Sequence, residues 1–169
     1  EMALSDVWGR RLNSVFFGGG TPSLFSASSI DRILTAVRTL MPLEHFAEVT
    51  LEANPGTFEA QKFVDYRLAG INRLSIGIQS FDPNRLKAIG RVHDDQEALR
   101  AVEIAQSNFD AINLDLMYAL PGQTLAEAQH DIDTACAFGV SHLSAYQLTL
   151  EPNTLFHRYP PSLPDDQQT

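Results

Sequence analysis

The sequence predicts an α/β fold built on a parallel sheet. Three observations carry this. Five short runs rich in β-branched and aromatic residues alternate with amphipathic stretches of helical period. The runs recur at a spacing of roughly 30 residues, the size of one strand–helix unit. Glycines and polar residues gather where each run ends, the side on which parallel α/β sheets bind ligands. Joining consecutive strands through helices requires right-handed crossovers, and five such units fit either an open doubly wound sheet or an arc of a (β/α) barrel. Periodicity leaves both open.

The expected strands are Ser14–Phe17, Glu48–Ala53, Arg73–Gln79, Ala111–Tyr118 and Ser141–Leu150. Ahead of them lies an amphipathic run, Leu4, Val7, Trp8 and Leu12. The first helix is expected to begin at Ser28 with Asp31, with Ile30, Ile33, Leu34, Val37 and Leu40 as its apolar face. Thr57 is the expected cap of a second helix that runs through Phe63, Val64 and Leu68 to Gly70. Asp82-Pro83 suits a short helix, because proline is favoured at the first helical position. Asp94 with Glu97 and Thr124 with Glu127 have the spacing of capping boxes, the latter opening a helix that ends near Gly139.

Composition narrows the function. The 169 residues carry 12 Lys+Arg against 21 Asp+Glu, a net charge of −9, with 44% hydrophobic residues. That is the balance of a globular chain, with no basic stripe to neutralise nucleic-acid phosphates. No apolar run approaches the ~20 residues that span a bilayer, and no secretory leader pattern opens the sequence, so a cytoplasmic chain is expected. The single cysteine, Cys136, excludes an internal disulfide and any multi-thiolate cluster held by these residues alone. Cys136 reads as a small core residue of its helix, and His93 as a loop histidine. The five histidines show no metal-ligand spacing. Both ends read as cut, the Pro-rich residues 151–169 resembling a linker toward a further domain.

The strand ends hold the candidate site. Phe17-Gly18-Gly19-Gly20-Thr21-Pro22 lets backbone approach a ligand, and it is neither a GxGxxG nor a P-loop pattern. Glu52 ends an apolar run at Glu52-Ala53-Asn54-Pro55, where its carboxylate can meet hydroxyls or a cation. Gly77 within a strand costs stability and marks close backbone approach, and Gln79 offers the donor and acceptor that hydroxyls need. Arg91 can hold a carboxylate in bidentate fashion. Asn113 and Asp115 share one face of an otherwise apolar strand, where a carboxylate needs partners or a ligand.

In order along the chain, Gly18–Pro22, Glu52–Pro55, Ser75–Phe81, Gly90–His93 and Asp115–Thr124 resemble the radical S-adenosylmethionine (SAM) family. The resemblance is to the branch with oxygen-independent coproporphyrinogen III oxidase and the HemW haem chaperones, and Tyr146–Thr154 resembles the HemW side. It implies a partial (β/α) barrel of the TIM-barrel kind, incomplete at its N-terminal end, with residues 1–150 as its central part. It implies SAM bound across the strand ends by Gly19, Gly20, Thr21, Glu52, Gln79, Arg91, Asp115 and, through its backbone, Thr149. It also implies a [4Fe–4S] cluster whose CxxxCxxC ligands are absent from these residues, so that these residues by themselves are expected to be inactive. Haem or a porphyrinogen and a membrane haem-protein acceptor are the implied partners. A chaperone and an oxidase share this barrel face, and a barrel binding a phosphate ester is a third reading.

Overall fold

The computed structural model describes residues 4–57 and 60–165. Five strands, β1 (Leu12–Phe17), β2 (Leu43–Ala53), β3 (Arg73–Gln79), β4 (Ala111–Tyr118) and β5 (His142–Gln147), pair in parallel in the order β1-β2-β3-β4-β5. Strand order that never reverses leaves no switch point of the doubly wound kind. The sheet is instead an arc of a (β/α) barrel, and β1 and β5 are its free edges among the described residues.

Helices α1 (Ala27–Leu40), α2 (Ala60–Ala69), α3 (Pro83–Ala88), α4 (Asp95–Gln106), α5 (Leu125–Ala137) and the single turn α6 (Leu155–Arg158) follow the strands. The expected strands β3 and β4 match in full. Strand β2 starts five residues early, at Leu43, which pairs with Leu12. Strand β5 stops at Gln147 rather than Leu150, because its neighbour β4 turns away at Ala119, a residue in the left-handed region (φ 57°). Both capping boxes form, and the Asp82 carboxylate caps α3.

Other expectations are corrected. The cap of α1 is Ser26, whose hydroxyl accepts from Ser29 N–H, and Ile33 and Leu40 face solvent. Helix α2 buries Phe63, Tyr66 and Ala69, whereas Val64 and Leu68 are exposed. Thr57 closes a 3-10 turn; its side chain and residues 58–59 lie outside the described residues, and with them the expected cap. Leu4–Val7 form a 3-10 turn with no buried residue, and Trp8 is exposed. Cys136 is exposed, since α5 buries Asp131 and Ala135 one turn apart and Cys136 points off that stripe.

The two faces of the sheet differ in chemistry. The outer face carries Val49, Leu51, Leu74, Ile76, Ile78, Ile112, Leu114 and Leu116, all buried beneath the helices. Phe63, Tyr66, Val102 and Ala135 close the core from the helix side. The inner face carries the alternate residues, among them Glu52, Ser75, Asn113, Asp115, Ser144 and Tyr146, in register across β2 to β5. A (β/α) barrel with an apolar centre fills it with branched side chains. This polar centre leaves room for a ligand. Past β5 the chain returns across the sheet end, where Gly122 N–H donates to Ser162 O at 3.0 Å. No helix among the described residues is long and apolar enough to cross a membrane.

Candidate functional site

A cavity of about 260 Å³ opens at the carboxyl ends of β1–β5. Gly20, Thr21, Glu52, Gln79, Arg91 and Asp115 line it, six of the eight residues expected at the site, together with Asn54, Ser75, Gly77 and Tyr146. Gly19 lies beside it and donates its N–H to Glu52 Oε2 at 2.9 Å. Thr149 sits beyond β5, exposed, with its hydroxyl donated to Glu151 at 2.9 Å, and is not among the lining residues.

The triple glycine works through its backbone. Gly19 (φ 81°) and Gly20 (φ 61°) adopt left-handed conformations, which turn the chain over the end of β1 and aim the Gly19 N–H at Glu52. A side chain at Gly18 would meet the Phe16 ring at 2.6 Å and Glu52 Cδ at 3.2 Å. At Gly77 a Cβ would meet Gln79 Nε2 at 2.9 Å and Asn54 Oδ1 at 3.3 Å. The close approach at Gly77 is therefore made by side chains rather than by backbone as expected: the Gln79 amide folds back over the bare strand.

Asp115 is the most heavily partnered group of the cavity. It accepts from Ser75 Oγ at 2.8 Å, from Asn113 Nδ2 at 2.8 Å and from the Tyr146 hydroxyl. Asn113 also donates to Ser75 Oγ at 2.9 Å and accepts from Ser144 Oγ at 3.0 Å, so β3, β4 and β5 share one network. Burial, and next the bond to Asp115, push the Tyr146 phenol up from its ordinary value, which keeps it a donor. Tyr146 was not singled out from the sequence. Its register opposite Met117, on the face shared with Asp115 and Ser144, is the signal that could have found it.

Arg91 is the opposite case. Half-buried, it has no carboxylate within ion-pair distance among the described residues. Burial lowers its pKa, and a guanidinium remains charged throughout the accessible range. Its neighbour His93 is no surface loop residue: it is buried, and its Nε2 lies 3.1 Å from Ile78 O. Burial pushes the imidazole pKa down, so the ring is neutral with Nε2–H donating to that carbonyl.

Two carboxylates and one guanidinium with no ion-pair partner among the described residues thus converge with amide, hydroxyl and backbone groups. That donor set fits a zwitterion of net positive charge that also carries hydroxyls. SAM, with a sulfonium, an ammonium and a carboxylate, has that chemistry. An iron–sulfur cluster does not fit these residues, since it needs several thiolates and the lone Cys136 lies on α5, outside the lining. Among the described residues, no group of three or more His, Cys, Asp or Glu side chains could hold a metal ion.

Comparison with known proteins agrees with this geometry. Residues 2–135 match the model of the radical SAM superfamily. The chain is 53% identical over 159 residues to heme chaperone HemW of Escherichia coli K12, covering 94% of this chain and 42% of that protein. It is 52% identical over 158 residues to heme chaperone HemW of Haemophilus influenzae, covering 93% of this chain and 41% of that protein. It spans about four tenths of the length of these curated relatives. Among solved structures, coproporphyrinogen III oxidase (HemN) from E. coli superposes with a TM-score of 0.83 at 26% identity, over 95% of this chain and 38% of the other. An archaeal Elp3 from Methanocaldococcus infernus shares the fold alone, at 16% identity and a TM-score of 0.74, over 93% of this chain and 42% of the other. The matched segment begins ahead of β1 and runs into the last turn of α5, taking in every residue that lines the cavity except Tyr146, and on this ground the chain belongs to the radical SAM superfamily.

Proposed function

We propose that residues 1–150 form the SAM-binding part of a HemW-like haem chaperone, with residues 151–169 leading from the barrel toward a further domain. The observation that carries SAM binding is the charge layout of the cavity: Arg91, without an ion-pair partner among the described residues, lines it together with Glu52 and Asp115. In this reading Arg91 holds the ligand carboxylate, while Glu52, Gln79 and Asp115 hold hydroxyl and ammonium groups. Gly19, Gly20 and Thr21 meet the methionyl part, and Thr149 contributes through its backbone. Tyr146, Asn113 and Ser75 keep the Asp115 carboxylate oriented, which spares the ligand that reorganisation.

The superfamily implies a [4Fe–4S] cluster beside SAM, which would supply an electron to the sulfonium. Its ligands would lie outside these 169 residues. Identity to HemW of 53% supports the chaperone over the oxidase, whose solved representative is 26% identical. Haem, a membrane haem-protein acceptor and a cytoplasmic setting go with this reading.

The test uses the full-length protein with its cluster reconstituted. SAM binding is measured by calorimetry, haem binding by Soret titration and porphyrinogen decarboxylation by product analysis. Stoichiometric haem and SAM binding without turnover supports the chaperone. SAM-dependent decarboxylation would move the protein to the oxidase reading. Phosphate-ester binding without SAM affinity would overturn both.

A further inference from the structure

Gln79 presents its amide to the cavity from a strained backbone. Its φ is 70°, and Ser80 N–H donates to Ile78 O at 2.9 Å, which closes a γ-turn of the rare left-handed kind around a residue that is not glycine. Such a conformation persists only where its surroundings over-determine it.

The surroundings here are specific. Asp131, buried on α5 and outside the cavity lining, accepts from Ser80 Oγ at 2.7 Å and from Phe81 N–H at 2.7 Å. The Ser80 hydroxyl in turn accepts from Asp82 N–H at 3.0 Å. The same carboxylate accepts from Gln123 Nε2 at 3.3 Å, and Gln123 Oε1 accepts from Leu120 N–H at 3.1 Å. Leu120 follows Ala119, the left-handed residue at the end of β4. One buried carboxylate therefore ties down two consecutive strand ends, each carrying a non-glycine residue at positive φ. From the other side, His93 holds the Ile78 carbonyl that closes the turn.

We propose that Asp131 is a positioning residue for the cofactor cavity, acting through the Ser80–Phe81 backbone to hold Gln79 in its ligand-facing turn. The inference rests on the reading of Gln79 as a SAM contact. Replacing a carboxylate oxygen by an amide nitrogen sets a donor against the Gln123 Nε2 donor, and flipping Gln123 to relieve this abandons Leu120 N–H. Asp131→Asn therefore loosens the brace with almost no change in volume.

The test is a double-mutant cycle in the full-length, cluster-reconstituted protein, read by SAM calorimetry and thermal melting. Asp131→Asn and Gln79→Ala are each expected to weaken SAM by about tenfold, the scale of one lost hydrogen bond. The double variant should bind no more weakly than Gln79→Ala alone, while still melting lower. Asn72→Ala, which removes bonds to Val49 and Ala47 at the opposite end of the sheet, should lower the melting temperature without touching affinity. Ser80→Ala replaces Asp131→Asn if the latter does not fold. Wild-type affinity in Asp131→Asn or Ser80→Ala, or full additivity in the cycle, would overturn the proposal. A crystal structure of the same variant is the second readout: Gln79 should leave positive φ, and an unchanged turn sinks the brace. Should the wild type bind no SAM, the cofactor reading fails while this structural readout still decides the brace.

Discussion

Arg91 and Asp115 line one cavity, yet removing them should have unequal consequences for stability. Arg91 has no ion-pair partner among the described residues, and burial already disfavours its charge. Arg91→Ala therefore gives up no ion pair among the described residues, only the packing of a half-buried stem, and should lower unfolding free energy by no more than about 1 kcal/mol. Its effect belongs to binding. A bidentate pair of charge-assisted hydrogen bonds to a ligand carboxylate contributes about 2–4 kcal/mol, or about 30- to 700-fold in SAM affinity. Asp115→Ala instead takes the acceptor from the Ser75 and Tyr146 hydroxyls and one of two acceptors from Asn113 Nδ2, which keeps its bond to Ser75 Oγ. Water entering the open cavity can replace some of these bonds, so we expect a loss of about 1–3 kcal/mol in stability alongside weakened SAM binding. Calorimetry with SAM and denaturant unfolding of the two full-length variants separate these effects, and cluster content should stay intact in both. SAM affinity unchanged in Arg91→Ala would refute the assignment of its guanidinium. A large stability loss in that variant would refute the argument that its charge is idle in the empty cavity.

Further outcomes follow from the same geometry. In Gly77→Ala the new methyl meets the movable end of Gln79, so stability should fall by less than about 1 kcal/mol, whereas SAM affinity should drop by about tenfold as the amide is displaced; equal affinity would show that the amide makes no ligand contact. His93 is held neutral by burial, with its pKa below the ordinary 6.5, so the folded state binds fewer protons than the unfolded one. Its contribution is complete above the ordinary value and is lost as pH falls through it toward the lowered folded value; in His93→Gln, whose amide can donate to Ile78 O, the fall in melting temperature on acidification from neutral pH should be shallower. Thr124→Ala breaks the capping box of α5 and should cost about 1 kcal/mol with no change in SAM affinity, since the cap lies outside the cavity lining.

What sequence reading recovered and what it missed divide along physical lines. Six of eight expected site residues line one cavity, because each strand end is marked locally by a glycine, a proline or a polar residue that breaks an apolar run. Strands β3 and β4 were legible in full, since both lie inside the sheet and their apolar runs end at turn residues. Edge strand β5 was overrun because only the departure of β4 at Ala119 ends its ladder. Tyr66 was missed as a core residue because it is amphipathic. Its ring is buried while its hydroxyl shares its one proton between Ser23 O at 2.8 Å and Phe25 O at 2.6 Å, and burial raises its pKa to about 12. Cys136 was misread because Ala, Cys, Ala and Phe in succession occupy all sides of a helix, and composition does not say which side is covered.

By itself, the sequence determined the α/β alternation, the two capping boxes, the polar residues at the strand ends and the lack of enough thiolates for a cluster. These are local or compositional properties, written in spacing and residue type. The tertiary structure alone displays the strand order; it agrees with the partial barrel that the family resemblance implied, where periodicity by itself left a doubly wound sheet open. It alone decided that Asp115 is held by donors from three strands while Arg91 has no ion-pair partner among the described residues. It also turned His93 and Asp131, on separate elements, into two sides of a brace around Gln79. Each of these depends on contacts between residues far apart in the chain, and no local pattern encodes which distant group will arrive.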